Sequence, residues 1–527
     1  MSQEETGSKH HGGRLIYPGL SLGGILALLA LWLPAVFMRQ GENIGGVRYW
    51  WLVDDAMISM RYARNLADGL GLVWNAGERV EGYTNLLWTL FMALVHLAPL
   101  PDSKTSLVVL LVNVAIGAAT VPLIVRLVRL LDGGAWVSAA TVAAYVLGVD
   151  TFVYGTNGLE ATLLGFFVVF CVCRVLEEAR SGSPRVSTYL AIGAMGLVRA
   201  DAAILSGLIC CASLALNRDR RTVVYYCLLA FMPILASEVF RILYYGELLP
   251  NTAYLKTMNW DGRYAAGWRY VSDFATAYTL PGILALVGVG LSGLRVRLVL
   301  TSVLLFYAAY VAYVGGDAWP NFRFFVPIVP VLLALAFVAV QELPTPAPHR
   351  LAIGALCLLT IPSFVWAYPS FLSPVPIESG NTKVGLYLKE NTPPDAVVAH
   401  TSAGAAFYFS GRRGIDLLGK MDPYIARQAP ANDGTVPGHN KFDYAYSLGE
   451  LQPDYVVGNF ALPTNEAEMA EAALGDWGYI GALYLDPTFQ EHCLPNPEKG
   501  IIWLTIFACD WPPQQGSQPP EPKQGAS

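Results

Sequence analysis

Charge is scarce in this sequence. Only 14% of its 527 residues are Asp, Glu, Lys or Arg, and 54% are hydrophobic. A soluble globular chain carries about 25% charged residues, so the shortfall excludes an ordinary water-facing surface over most of the chain and points to a bilayer. A basic excess is missing as well. The net charge is −6, and no stretch interleaves basic residues with aromatics, which argues against nucleic acid as a partner. Cysteine is nearly absent from the polar regions: Cys171, Cys173, Cys210, Cys211, Cys227 and Cys357 lie in apolar runs and read as small core hydrophobes. Cys493 and Cys509 are the exceptions. They sit in the polar C-terminal region, and a disulfide between them is expected if that region faces an oxidising compartment. His400 and His439 are too far apart to read as a zinc pair, and there is no internal repeat.

Long apolar runs are what the chain has in abundance. Residues 19–38, 107–125, 162–173, 222–245, 298–314 and 324–340 are almost free of charge, and a helix needs about 20 such residues to cross a bilayer. No small-x-small cleavage site follows the first run, which reads as a retained anchor. Lys and Arg stay on the cytoplasmic side. Five short loops are basic, with Arg126 and Arg129; Arg174, Arg180 and Arg185; Arg218, Arg220 and Arg221; Arg295 and Arg297; and Arg350. The loops between them, 150–160, 199–201, 246–276 and 315–323, are nearly free of Lys and Arg or carry acids. This alternation gives eleven spans with the N-terminus inside: 17–38, 105–128, 135–150, 161–176, 187–199, 201–216, 222–244, 278–294, 298–314, 324–341 and 351–368.

Residues 86–97 are apolar but short, and Trp88 and His96 interrupt them. They read as a helix lying at the interface, with an amphipathic partner over 56–70. The expected fold class is a polytopic α-helical membrane protein with a C-terminal mixed α/β extracytoplasmic domain. A cytoplasmic tail (1–16) precedes a transmembrane domain (17–375) with a large first external loop (39–104). A soluble domain follows (376–510), with a helix over 382–390, short strands at 396–400 and 455–458 and a helix over 465–474. The Pro/Gln/Gly-rich tail 511–527 reads as disordered.

This layout puts Asp54, Asp55, Glu81, Glu160, Arg199, Asp201, Asn251, Lys256, Asp317 and Arg323 on the outer face, although they come from six loops or turns. Charges at membrane depth are costly and usually functional. On a helix Asp54, Ile58, Arg61 and Asn65 share one face. A carboxylate there suits taking a proton from an acceptor hydroxyl, or binding a divalent cation with its neighbour; an arginine suits holding a phosphate. Each piece also has a plain structural reading. Asp54-Asp55 can open a helix, Arg199 and Asp201 can be an ion pair, and Gly315-Gly-Asp317 can be a turn. Their shared sidedness favours the functional reading.

The residues Asp54-Asp-Ala-Met-Ile-Ser-Met-Arg-Tyr-Ala-Arg-Asn65, Gly71-Leu-Val-Trp-Asn75 and Glu78-Arg-Val-Glu-Gly-Tyr-Thr-Asn85 resemble the first-loop signature of a bacterial GT-C glycosyltransferase group. Gly158-Leu-Glu160, Leu249-Pro-Asn-Thr252, Gly315-Gly-Asp317 with Arg323, and Gly411-Arg-Arg-Gly-Ile-Asp-Leu-Leu-Gly419 match further blocks, over about residues 15–480. The nearest family is that of the mycobacterial terminal arabinofuranosyltransferases. The resemblance implies a GT-C fold and a catalytic aspartate at Asp54 or Asp55. It also implies a polyprenyl-phosphate donor of the decaprenyl-phosphate-arabinose type and a glycan acceptor of the cell envelope. Arg61, Lys256 and Arg323 are then expected to bind the donor phosphate. Glu81, Tyr83, Asn85, Glu160, Arg199, Asp201, Asn251, Asp317 and His439 are expected to contact substrate, with Arg412, Arg413 and Asp416 facing the acceptor. No cofactor is required; a divalent cation at Asp54 and Asp55 stays open. The setting is the cytoplasmic membrane, with the site and C-terminal domain extracytoplasmic. Transfer of mannose or another hexose, and transport of a lipid-linked sugar, stay open beside this reading.

Overall fold

The computed structural model describes residues 17–512 apart from 292, 364–367, 369, 433, 459–476 and 502. The tail 1–16, the helix expected over 465–474 and most of the tail 511–527 lie outside the described residues.

Each of the eleven apolar segments holds a helix. Among the described residues four of these, Pro18–Arg39, Asp102–Leu130, Arg220–Tyr245 and Leu294–Val314, are long and apolar enough to cross a membrane. Two bent pairs, Val149–Thr156 with Ala161–Ser181 (118°) and Arg263–Ala277 with Thr279–Val289 (82°), raise the number to six if each is one span. The remainder are shorter, so length alone does not yield eleven crossings. The span expected over 135–150 stops at Leu147, where Gly148 leaves the helical conformation and the chain turns into Val149–Thr156. Val329–Glu342 is buried on all sides apart from its last two residues. That is why its sequence has no polar face: a helix apolar all round belongs in the middle of a bundle. Trp32 fixes the first helix against its neighbours. Its indole donates to the Val146 carbonyl (3.2 Å), and its ring fills space that a side chain at Gly117 or Gly155 would occupy.

The first loop begins as a hairpin, β1 (Gly41–Ile44) and β2 (Val47–Trp50), turned by Gly45 and Gly46 at φ 57° and 83°. Two positive-φ residues are what a tight type I′ turn requires. Helices Asp54–Ala67 and Leu86–His96 follow. The second has 11 residues, about 16 Å at 1.5 Å per residue, roughly half the hydrocarbon thickness. It buries Trp88 and Met92 and exposes Leu90 and Leu94. The first is not the interfacial helix expected over 56–70. Ten of its residues are buried, because it is clamped between Leu86–His96 and the helix Ala405–Ser410 of the C-terminal part.

That C-terminal part has a five-stranded sheet, β3 (Val397–His400), β4 (Arg413–Asp416), β5 (Tyr455–Gly458), β6 (Pro497–Ile501) and β7 (Leu504–Ala508), in the order β4-β3-β5-β7-β6. Strands β4, β3 and β5 are parallel; β7 and β6 join antiparallel. The expected strands are present, the expected helix appears as Pro376–Asn391, and Cys493 and Cys509 form a disulfide.

Arg61 ties this part to the first loop. Its guanidinium donates to the carbonyls of Trp74 (2.6 Å), Phe407 (3.0 Å) and Arg412 (2.9 Å) and to Asn75 Oδ1 (2.8 Å). Asn75 also exchanges two hydrogen bonds with Gly414, and Trp74 donates to the Ala403 carbonyl. Arg61→Met leaves these buried acceptors without their donor, an expected loss of about 3 kcal/mol. A lower thermal midpoint in detergent and faster proteolysis between residues 53 and 85 would register it; an unchanged midpoint would contradict the clamp.

Candidate active site

The first loop, the segment 315–323 and the C-terminal part enclose one cavity of about 660 Å³. Asp54 and Asp55 open the helix Asp54–Ala67, where the exposed N–H groups of the first turn favour negative charge. Asp55 Oδ2 accepts from the Trp319 indole (2.7 Å) and Arg323 Nη1 (3.2 Å), and Oδ1 from Lys420 Nζ (3.3 Å). Arg323 binds Asp317 with two nitrogens, at 2.6 and 2.8 Å, and Lys256 reaches Asp317 at 3.3 Å. Gly315 and Gly316, at φ 100° and 70°, make the turn that delivers Asp317. Phe322 is held at φ 48° in the same segment. A bulky residue pays a steric penalty there, and such strain clusters at functional sites.

Burial alone would raise the Asp55 carboxyl. Lys420, Arg323 and Lys256 outweigh it and hold the group well below the usual carboxylate range. Asp317 is lowered in the same way, by Arg323 and Lys256 against burial. Asp54 goes the other way: burial raises it, although Lys420 and the Ala405 N–H, which donates to Oδ1 (3.0 Å), oppose the shift. Gly404 allows that contact, since a methyl group there would collide with the Asp54 carbonyl and carboxyl.

A second polar chain runs along the wall. Ser59 and Thr89 donate to Asn85 Oδ1, and Asn85 donates to Glu160 (2.9 Å). Glu160 lies 3.8 Å from Arg199, which grips Asp201 with two nitrogens. Tyr83 and His439 also line the cavity. Burial, with Lys420 adding to it, pushes His439 down to about 4.

Several expected ligands lie elsewhere. Arg61 is off the cavity, its donors spent on the clamp. Glu81 pairs with Arg241 (2.5 Å) and lines a small side pocket. Asn251 braces the main-chain carbonyls of Gly419 and Lys420. Asp317 lies beneath Lys256 and Arg323 and is not part of the lining. Arg412 caps carbonyls at the end of the helix Pro376–Asn391, Arg413 pairs with Glu78, and Asp416 accepts from the N–H groups of Leu418 and Met421. Lys420, Trp319, Arg241 and Glu378 line the cavity without having been foreseen. Arg241 carried a signal, a charge inside an apolar span; Lys420 lies one residue beyond the block 411–419.

On the acidic pair a divalent cation would have to displace donors already in place. Both Asp55 oxygens and Asp54 Oδ1 already face donors. Among the described residues no three His, Cys, Asp or Glu side chains converge.

A family model described as a domain of unknown function (DUF8728) matches residues 375–498. The terminal beta-(1->2)-arabinofuranosyltransferase of Corynebacterium glutamicum is 29% identical over 373 residues, 61% of this chain and 52% of its own length. Its Mycobacterium tuberculosis counterpart is 31% identical over 273 residues, 48% of this chain and 42% of its own. The chain thus spans about half the length of the curated relatives it matches. ArnT from Cupriavidus metallidurans, in its structure bound to undecaprenyl phosphate, superposes with a TM-score of 0.53 at 11% identity, covering 93% of this chain and 98% of that one. This chain has the GT-C fold. The sequence likeness to terminal arabinofuranosyltransferases, read first from residues 54–85, is borne out as well. Within the GT-C fold the apolar helices make the chain a multi-pass membrane protein.

The depressed Asp55 and Asp317 carboxyls set a pH response. Their stabilising effect is fully present above the unfolded carboxylate pKa of about 4 and drains away as pH falls towards their folded values. The thermal midpoint in detergent is expected to drop as pH falls from about 4.5 to about 2.5, the window around and below the unfolded carboxylate value, and by less in Asp55→Asn. Equal drops in both proteins would contradict the ion-pair account.

Proposed function

We propose that the protein is a membrane glycosyltransferase. It moves a sugar, arabinofuranose, from a polyprenyl-phosphate donor to a cell-envelope glycan on the outer face of the cytoplasmic membrane. The observation that carries this reading is Asp55, an ionised carboxylate partly open to the cavity (21% side-chain exposure) and flanked by Arg323 and Lys420. The names of the curated relatives support the donor sugar. The disulfide Cys493–Cys509 fits an oxidising, extracytoplasmic side for the C-terminal domain.

The donor phosphate is placed among Lys256, Arg323 and Lys420, with Lys420 taking the part first read for Arg61. These cations stabilise the departing anion. The acceptor hydroxyl oxygen bonds to the anomeric carbon, the bond from that carbon to the phosphate oxygen breaks, and polyprenyl phosphate leaves. As Lys420 and Arg323 turn to the departing phosphate, Asp55 loses the charges that hold its carboxyl low, and the hydroxyl proton passes to it. Asp54, held by the Ala405 N–H, sets the start of the helix. Tyr83, Asn85, Glu160, Arg199, Asp201 and His439 line the space left for the two sugars.

Purified protein in nanodiscs, given labelled polyprenyl-phosphate arabinofuranose and an arabinan fragment, is expected to form labelled glycan. Asp55→Asn lowers the rate about 100-fold or more, the scale of a lost general base. Gly404→Ala removes no functional group yet lowers it about tenfold by displacing Asp54, in line with the sensitivity of catalysis to small misplacements. An unchanged rate in Asp55→Asn removes the catalytic assignment. Movement of intact donor across the membrane without product replaces the enzyme by a transporter.

A further inference from the structure

Glu378 has no part in the mechanism above, yet its position is hard to explain structurally. It stands in the first turn of the helix Pro376–Asn391, contributed by the C-terminal part and not by the first loop. It lines the reaction cavity beside Ile377 and is only 2% exposed. Its Oε2 is buried with no hydrogen-bond partner. No ion pair among the described residues reaches it, although Arg39 and Asp54 are the charged groups that act on it. Lys383, further along the same helix, pairs with Glu42 of β1 at 2.9 Å. The main-chain N–H groups of Glu378 and Asp54 act on the carboxyl against burial, but the Oε2 atom is left without a compensating contact, and a cavity wall is where a ligand supplies one.

We propose that the Glu378 carboxyl binds a hydroxyl group of a sugar substrate, making it a substrate-binding residue delivered by the C-terminal domain. The inference rests on the glycosyltransferase reading. Burial, with the Asp54 charge adding to it, pushes Glu378 up to about 8. At neutral pH it therefore carries its proton, and a neutral carboxyl both donates and accepts, which suits a hydroxyl. A general base would instead need to be ionised at neutral pH. Above pH 8 the group ionises next to Asp54, its donor is lost and sugar affinity falls.

The test compares wild type, Glu378→Ala and Glu378→Gln in the transfer assay, with KM measured for donor and acceptor separately from pH 6 to 9.5. Glu378→Ala is expected to raise KM for one substrate about tenfold, and the substrate affected identifies whether donor or acceptor supplies the hydroxyl. Glu378→Gln, a neutral group of the same shape, is expected to recover most of that affinity and to flatten the rise in KM above pH 8. An inactive Glu378→Gln that is folded by its melting profile would overturn the proposal, because it would mean the charged form is required. Unchanged KM and pH profile in Glu378→Ala would overturn it too. If wild type transfers no sugar, the glycosyltransferase reading fails and this inference with it. If wild type is active and both variants match it, only this inference fails.

Discussion

Two carboxylates, Asp55 and Asp317, are shared among Lys256, Arg323 and Lys420, and these five groups come from four separate stretches of the chain. Ions taken out of water must be paired, and removing one partner leaves an uncompensated charge at a cost of several kcal/mol. The network is therefore a geometric constraint as much as a source of energy. The helix that starts at Asp54, the turn at Gly315-Gly316 and the segment after β4 cannot shift independently without stranding a charge. The clamp around Arg61 fixes the same relation from the apolar side, through Trp74 and Phe407. Cavity, ion network and clamp thus make the first loop the mount on which the C-terminal part sits.

Much of this was legible in the sequence because of the physics of the bilayer. Charges are so expensive there that the positions of arginines mark loop sidedness, and sidedness alone collects Asp55, Glu160, Arg199, Asp201, Lys256 and Arg323. The structure joins these residues around one cavity. The pairing of Cys493 with Cys509 and the strands near residues 398 and 456 were legible for equally local reasons.

What stayed hidden depends on contacts that periodicity does not encode. A guanidinium on the same helical face as Asp54 looks like a phosphate ligand. Only the path of the chain through Trp74 and Arg412 reveals that its hydrogen bonds are already made. Lys420 and Glu378 lie more than 300 residues from the helix they face, in the C-terminal part, which forms a wall of the cavity. Helix Val329–Glu342 hid its central place because a buried helix and a lipid-facing one have the same composition.

The proposed reaction needs a lipid-linked phosphate among Lys256, Arg323 and Lys420 with its sugar against Asp55. An experimental density map of the protein with a non-hydrolysable polyprenyl-phosphate sugar tests this most directly. The predicted result is phosphate density within ion-pair distance of at least two of these cations and the anomeric carbon beside the Asp55 carboxylate. Phosphate density outside the cavity, with Asp55 still locked to Arg323 and Lys420, would contradict it.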